Sequence, residues 1–187
     1  MIETCLCQCC VGRDDPARRS VDDSGNGGPG GPALQKNGVE RLKRVYVNEQ
    51  WCLGCHLCEY NCAFANSGKR DMVEALKGKP MYPRIRVEGA DAITYAVSCR
   101  HCTDPLCVKG CISGALHIEN GAVCIDHEKC VGCLTCVLVC PYGAVQPGPD
   151  GAAMKCELCL KNSCGAPACA AGCPNGAIVY EERGETA

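Results

Sequence analysis

Apolar positions in this chain fall in short runs bounded by glycine, proline and asparagine, which predicts short strands and few short helices. The clearest case is a pair of runs, residues 116–118 and residues 122–125, that flank Asn120-Gly121. Both residues of an Asn-Gly pair tolerate the left-handed conformation that a tight hairpin turn requires. The sequence therefore predicts an antiparallel hairpin at this point.

Other apolar runs predict further short elements. Residues 144–145 and the residues near Ala153 flank a Gly/Pro-rich loop, which is typical of a second hairpin with a longer connection. Residues 45–47 and residues 178–180 are β-branched and aromatic runs near opposite ends of the patterned region. We expect them to pair and bring the two ends of the core together. Residues 72–76 predict one or two helical turns.

The first 39 residues differ from the rest of the chain. Residues 25–31 form a Gly/Asn/Pro linker, and residues 14–23 are charged without a periodic apolar pattern, so a flexible arm is expected. This arm carries four cysteines at alternate or adjacent positions, a spacing that does not readily wrap a metal cluster. They are Cys5, Cys7, Cys9 and Cys10. A metal-binding or partner-anchored tail is one interpretation, and incidental thiols on a flexible arm is the favoured one.

Residues 63–94 are the longest stretch of the remaining chain without cysteine, and their charge balance is basic. Two interpretations stay open: a docking or steering surface for an acidic partner, and an ordinary solvated face. The six cations concerned are Lys69, Arg70, Lys77, Lys79, Arg84 and Arg86.

The composition requires something besides aliphatic burial to hold this chain together. The 187 residues include one Phe and one Trp, the formal net charge is only −2, and 22 residues are cysteine. A cysteine content this high indicates covalent or metal staples. No run approaches the ~20 apolar residues of a membrane span, and no export signal follows the N-terminus. A cytoplasmic protein with reduced thiols is expected, with no nucleic-acid partner.

Sixteen of the 22 cysteines form four motifs of similar spacing. The motifs are Cys52-x2-Cys55-x2-Cys58-x3-Cys62, Cys99-x2-Cys102-x4-Cys107-x3-Cys111, Cys130-x2-Cys133-x2-Cys136-x3-Cys140-Pro141, and Cys156-x2-Cys159 closing with Cys169-x3-Cys173-Pro174. The third motif matches the bacterial run C-x2-C-x2-C-x3-C-P, in which three cysteines hold one [4Fe–4S] cluster and the fourth reaches a neighbouring cluster. Four such motifs predict a row of four clusters, which is a path for electrons.

Two other staples compete with iron–sulfur clusters. A disulfide framework needs an oxidising compartment, and the chain shows no export signal. Structural zinc usually takes two cysteine pairs a dozen or more residues apart, which does not explain repeated triplets at three-residue spacing. Iron–sulfur ligation is therefore the favoured interpretation, and a zinc-stapled structural protein remains the alternative.

The four motifs, in order over residues 44–182, resemble those of the four-cluster electron-transfer subunits. These are the iron–sulfur subunits of carbon monoxide dehydrogenase, formate dehydrogenase, formate hydrogenlyase, DMSO reductase and tungsten aldehyde oxidoreductase complexes. The most specific likeness is Cys-Arg-His-Cys-Thr-Asp-Pro-Leu-Cys at residues 99–107. Residues 107–115 are most similar to the carbon monoxide dehydrogenase-associated type.

The resemblance implies an α+β fold of two bacterial ferredoxin modules, one inserted in the other. The outer module would comprise residues 40–94 and 150–187, with an insertion at 63–94, and the inner module residues 95–149. It also implies four complete [4Fe–4S] clusters, since no motif cysteine is replaced. The implied ligand sets are Cys52, Cys55, Cys58 and Cys173; Cys156, Cys159, Cys169 and Cys62; Cys99, Cys102, Cys107 and Cys140; and Cys130, Cys133, Cys136 and Cys111.

The fourth motif departs from the family pattern by an extra cysteine. Cys164 follows Cys159 at the same offset as Cys107 follows Cys102, so either Cys164 or Cys169 is the third ligand. Cys169 is preferred because Pro167-Ala-Cys169 repeats the register of Pro105-Leu-Cys107. Outside the motifs, Cys124 is expected to be a small buried residue in a strand.

The resemblance implies a non-catalytic subunit that relays single electrons within a hetero-oligomer. A nickel, molybdenum or tungsten catalytic subunit would supply electrons, and a flavoprotein, hydrogenase or ferredoxin would accept them. The alternative is a freely diffusing polyferredoxin. His56 and His101 lie between ligands. One interpretation is that they hydrogen-bond cluster sulfur or gate a proton, and the favoured one is that they are partly exposed and only tune the potential.

Overall fold

The computed structural model describes residues 43–91, 93–162 and 165–182, and these contain only short elements. The predicted arm with its four cysteines, and Cys164, lie outside the described residues. The strands are Arg44–Val47 (β1), Arg86–Ala90 (β2), Ile93–Val97 (β3), Leu116–Glu119 (β4), Ala122–Ile125 (β5), Val145–Pro147 (β6), Ala153–Lys155 (β7) and Ile178–Glu181 (β8). The helices are Leu57–Ala65 (α1), Met72–Leu76 (α2), Leu106–Lys109 (α3), Thr135–Val139 (α4) and Ala168–Ala171 (α5), and Glu49–Trp51 forms a 3-10 turn.

The described strands pair into four two-stranded antiparallel ladders, β1–β8, β2–β3, β4–β5 and β6–β7. Three of these pairings are the predicted ones. In β4–β5 the turn residues Asn120 and Gly121 have φ values of 47° and 72°, the left-handed conformation that this type of hairpin needs. In β1–β8, Val45 lies opposite Tyr180, so the ends of the core do meet.

The region of residues 63–94 is more ordered than the sequence predicts. The expected helical turn is present as α2, where the Asp71 side chain accepts a hydrogen bond from the Glu74 N–H at 2.8 Å and so caps the N-terminus. The β2–β3 hairpin was not predicted. Its turn contains Asp91 at φ 53° instead of an Asn-Gly pair, so the sequence lacks the usual hairpin signal.

The core is built largely from small residues. Within the described part of the chain, only nine of the buried hydrophobic residues are larger than alanine or cysteine. One packed cluster joins β1 and β8 to cysteines of the first, second and fourth motifs. The other joins β4, β5 and β6 to cysteines of the second and third motifs, and it includes Ala153 of β7. The β6–β7 hairpin therefore crosses the predicted module boundary at residue 149, and the modular division stays a prediction.

Candidate metal centres

Each of the four motifs opens with the same backbone turn. The residue directly before the second cysteine has a left-handed conformation in every case: Gly54 (φ 62°), His101 (47°), Gly132 (68°) and Leu158 (56°). Glycine adopts this conformation without a steric penalty, whereas histidine and leucine rarely do. His101 is fully buried and Leu158 nearly so. The same loop is therefore formed four times, including twice where no glycine signals it.

We call the four predicted ligand sets groups A, B, C and D. Group A comprises Cys52, Cys55, Cys58 and Cys173; group B comprises Cys62, Cys156, Cys159 and Cys169; group C comprises Cys99, Cys102, Cys107 and Cys140; and group D comprises Cys111, Cys130, Cys133 and Cys136. Each group draws three cysteines from one motif and one from another.

In group A, Cys52 and Cys55 lie before α1, and Cys58 lies in its first turn. Burial, with contributions from the Glu59 carboxylate and the neighbouring Cys55 and Cys52 thiolates, raises the pKa of Cys58 to about 12. Cys173 comes from the far end of the chain, in the turn after α5. This turn is tied to the first loop, because the Asn175 side chain donates a hydrogen bond to the Trp51 carbonyl at 2.6 Å.

Group B is the most deeply buried of the four. Cys62 is supplied by α1 and Cys169 by α5, two helices that pack against each other. Burial, followed by the charges of the other three group B thiolates and of Cys58 in group A, raises the pKa of Cys169. Cys169, which is 4% exposed, thus belongs electrostatically with the cysteines of its predicted set.

Groups C and D each surround a cavity. All four group C cysteines line one cavity of about 370 Å³, its open mouth included, together with Val123 and Tyr142. All four group D cysteines line another of about 300 Å³. In group D, hydrogen bonds from Thr135 lower the pKa of Cys133, an exposed thiol.

Backbone amides are aimed at sulfur in groups B, C and D. Each hydrogen bond runs from a backbone N–H to a cysteine Sγ. The pairs are Arg84 to Cys62 at 3.2 Å, Leu158 to Cys156 at 3.4 Å, and His101 to Cys99, Leu116 to Cys111 and Ala153 to Cys130, each at 3.5 Å. Such N–H dipoles stabilise negative charge on sulfur and help to set the reduction potential of a bound cluster.

The donor set fits [4Fe–4S] clusters. Gathered, desolvated thiols resist ionisation, and a cationic metal core removes that resistance because it binds them as thiolates. No set of three or more His, Cys, Asp or Glu side chains in the described ranges is arranged to hold one metal ion. In a cubane, however, each of the four thiolates binds a different iron, so the sulfurs stand around a cavity and do not converge on one point.

The two histidines of the motifs have different surroundings. The His56 side chain is about half exposed and its Nδ1 lies 2.8 Å from Glu59 Oε2. His101 is fully buried, contrary to the expectation of a partly exposed residue. Its Nδ1 accepts a hydrogen bond from the Val123 N–H at 3.0 Å. Burial, with the charges of Lys155 and Arg44, lowers its pKa to about 3, so the ring is neutral and its proton lies on Nε2.

Several cations of residues 63–94 are engaged within the chain. Arg84 Nη1 lies 2.7 Å from Glu157 Oε2, and the other Glu157 oxygen accepts a hydrogen bond from the Ile125 N–H at 3.0 Å. Arg86 Nη2 binds Glu88 and the Gly143 carbonyl. These contacts attach the β2–β3 region to the fourth motif and to β5, so both arginines have structural partners in addition to any role at a surface.

Replacing Gly132 by alanine is expected to destabilise the group D loop more than replacing Gly114 by alanine. Both positions have positive φ, which costs a side chain about 1–2 kcal/mol. At Gly132 a Cβ would also lie 2.8 Å from the Gly151 carbonyl oxygen, whereas Gly114 has open space around it. Thermal loss of the cluster absorbance should therefore occur at a lower temperature in Gly132→Ala. Equal shifts in the two variants would contradict the steric explanation.

No helix in the described residues combines the length and the apolar character needed to cross a membrane.

Comparison with known proteins gives a consistent result. Residues 90–183 match the family described as "4Fe-4S dicluster domain", a segment that contains twelve of the sixteen motif cysteines. An iron-sulfur protein of Rhodospirillum rubrum is 39% identical over 163 residues, which cover 79% of this chain and 83% of that protein. The electron transport protein HydN of Escherichia coli is 35% identical over 155 residues, 74% of this chain and 87% of HydN.

The thiosulfate reductase electron transfer subunit PhsB of Salmonella typhi is 32% identical over 154 residues, which cover 76% of this chain and 78% of PhsB. The chain also matches 20% and 21% of the length of two much longer putative oxidoreductases of Escherichia coli. Sequences of this kind therefore occur both as separate electron-transfer proteins and as one part of larger chains.

Proposed function

This chain belongs to the 4Fe-4S dicluster family of ferredoxin-type iron–sulfur proteins, and we propose that it is the electron-transfer subunit of a larger oxidoreductase complex. Relatives that it covers over most of their length are named as iron-sulfur or electron-transfer proteins. Its own role is accordingly electron transfer and not catalysis. Groups A to D would hold one [4Fe–4S] cluster each, with the sixteen motif cysteines as ligands.

The observation that carries this proposal is the order of the four thiol groups. The charge of Cys58 in group A acts on Cys169 in group B, and the charge of Cys99 in group C acts on Cys156 in group B. Cysteines of groups C and D pack against one core cluster. This order, A–B–C–D, supports a continuous row. Cys55 in group A and Cys133 in group D are exposed, so each end of the row faces solvent.

When bound, each cluster supplies reversible one-electron chemistry. The chain supplies the rest. Each motif contributes cysteines to two groups and so links them, and the buried interior excludes water from group B, in which Cys62, Cys156 and Cys169 are buried. Backbone N–H groups stabilise negative charge on sulfur, and the exposed loops at Cys55 and Cys133 let partner proteins approach the two ends. Partner proteins that dock at both ends of the row would cover the exposed cysteines Cys55 and Cys133, whereas the cysteines of group B are already buried within the chain.

For the partners, we propose a catalytic subunit at one end and an acceptor at the other. The sequence of residues 107–115 favours a carbon monoxide dehydrogenase-type nickel enzyme. The likeness to PhsB, named as an electron transfer subunit of thiosulfate reductase, supports an oxidoreductase complex in general. The family resemblance leaves a molybdenum or tungsten enzyme of the formate or aldehyde type as the other candidate. The acceptor would be a flavoprotein, a hydrogenase or a ferredoxin. We also propose a cytoplasmic location, where thiols stay reduced.

The metal content of the protein tests this proposal. Anaerobically purified protein is expected to be brown and to contain about sixteen iron atoms, the content of four cubanes. About eight iron atoms would reduce the row to a dicluster protein and contradict the assignment of four groups. Colourless, zinc-rich protein would instead support the structural alternative and remove the redox function.

Co-purification separates a subunit from a diffusing polyferredoxin shuttle. A subunit should remain with a stoichiometric catalytic partner through size-exclusion chromatography at both low and high salt. A shuttle should elute as a monomer at every ionic strength, since steering between exposed charges is all that holds it to its partners.

A further inference from the structure

Lys155, the last residue of β7, is among the largest fully buried side chains of the described residues, with 1% of its surface exposed. Its ammonium group donates hydrogen bonds to two backbone carbonyls, those of Val123 and Cys156. No ion pair between Lys155 and a carboxylate occurs in the described part of the chain. The Glu157 carboxylate nearby is instead held by Arg84 and by the Ile125 N–H.

The two carbonyls place this charge between two thiol groups. Val123 lines the cavity that the group C cysteines surround, and Cys156 is itself a member of group B. The electrostatics agree with this position. Burial raises the pKa of the thiols of Cys99, Cys107 and Cys156, and the positive charge of Lys155 acts in the opposite direction on all three.

A buried ammonium is unfavourable unless negative charge compensates it. Two carbonyl dipoles give partial compensation, and the thiolates of groups B and C would give the rest when clusters are bound. An oxidised [4Fe–4S] centre with four thiolates carries roughly two negative charges, and reduction adds one more. A fixed positive charge close by therefore stabilises the reduced form more than the oxidised form.

We propose that Lys155 is the buried counter-ion shared by groups B and C and raises the reduction potentials of the clusters held there, an inference that rests on the proposed function. Electrons that enter from either end would then collect in the two middle centres. Each step is one electron, taken from the donor partner, that converts a [4Fe–4S]²⁺ centre to [4Fe–4S]⁺. Lys155 acts on the clusters through its charge and does not coordinate iron.

The chain contains a matched control for this charge. Lys129 precedes Cys130 just as Lys155 precedes Cys156, so both lysines occur in the sequence Lys-Cys-x2-Cys. The Lys129 side chain, however, is 65% exposed and lies 2.9 Å from Asp126 Oδ2. Water and salt screen such a surface charge, whereas a buried charge is screened much less.

The experiment compares Lys155→Met with Lys129→Met in the full chain, purified anaerobically with its clusters. Redox titration followed by electron paramagnetic resonance gives the potentials, and iron analysis and Mössbauer spectra establish equal cluster content. We expect Lys155→Met to weaken the electron affinity of at least one centre tenfold or more, which is a fall of about 59 mV for one electron. Lys129→Met should shift every centre by less than this. Unchanged potentials in Lys155→Met, or an equal fall in Lys129→Met, would overturn the assignment.

A measurement on the unaltered protein decides the question if Lys155→Met loses iron. In protein reduced by one electron, hyperfine-shifted cysteine β-proton resonances identify the centre that holds the electron. We expect those resonances to belong to cysteines of group B or C, and resonances from group A or D would overturn the proposal. Failure of the proposed function would give a different result, because colourless protein contains no clusters to titrate. Brown protein whose potentials are unchanged by Lys155→Met would contradict only the role of Lys155.

Discussion

Removal of iron is expected to unfold the part of the chain between residues 43 and 182 and to leave no stable metal-free fold. The larger buried aliphatic side chains are few, and the described ladders have only two strands each, which is marginal in isolation. The remaining buried hydrophobic residues are alanine and cysteine, and the cysteines of groups C and D line cavities that fit a cluster. Cluster-binding free energy is then folding free energy, as in other small metal-dependent domains.

Circular dichroism and hydrogen exchange measure this outcome. Treatment with a chelator and an oxidant under anaerobic conditions should abolish the cooperative thermal transition and the amide protection of the β4–β5 hairpin. Addition of iron and sulfide to the same sample should restore both, which separates loss of metal from chemical damage. A metal-free sample that still melts cooperatively would show that the small aliphatic core is sufficient.

The parts of the fold that the sequence predicts are those with a local signal. The Asn120-Gly121 turn, the run at Met72–Leu76 and the complementary runs of β1 and β8 each have such a signal, and each is confirmed. The β2–β3 hairpin lacks one, because its turn contains neither Asn-Gly nor a run of turn-forming residues. It is stabilised by longer-range contacts, such as the 2.6 Å hydrogen bond from the Val87 N–H to the Glu59 carboxylate.

For the candidate site, cysteine spacing predicts four cluster-binding motifs and the family resemblance implies the ligand sets, but neither predicts what surrounds the cysteines. The burial of His101 and the left-handed conformation of Leu158 are set by tertiary packing, and no short sequence pattern encodes either. Lys155 and Lys129 illustrate the limit most directly. Their local sequences are the same, and only the three-dimensional structure separates a buried charge from a solvated one.

Replacement of Cys169 by serine is expected to remove one cluster and lower the iron content by about four atoms of sixteen, because hard oxygen donors suit iron–sulfur clusters poorly. Cys169 is buried among the other three thiols of group B. The matched control is Cys124→Ser. Cys124 is 6% exposed in β5, comparable with the 4% of Cys169, but it belongs to none of the four groups.

The comparison separates ligand loss from simple destabilisation. Both variants bury a new hydroxyl, at a cost of about 1–3 kcal/mol if it finds no hydrogen-bond partner, so both should melt at a lower temperature. Only Cys169→Ser should lose iron as isolated, because only there does the altered atom bind metal. A third variant, Cys164→Ser, tests the choice left by the extra cysteine of the fourth motif. Full iron in Cys169→Ser together with loss in Cys164→Ser would transfer the ligand to Cys164, and loss in Cys124→Ser would mean that iron content reports stability and not ligation.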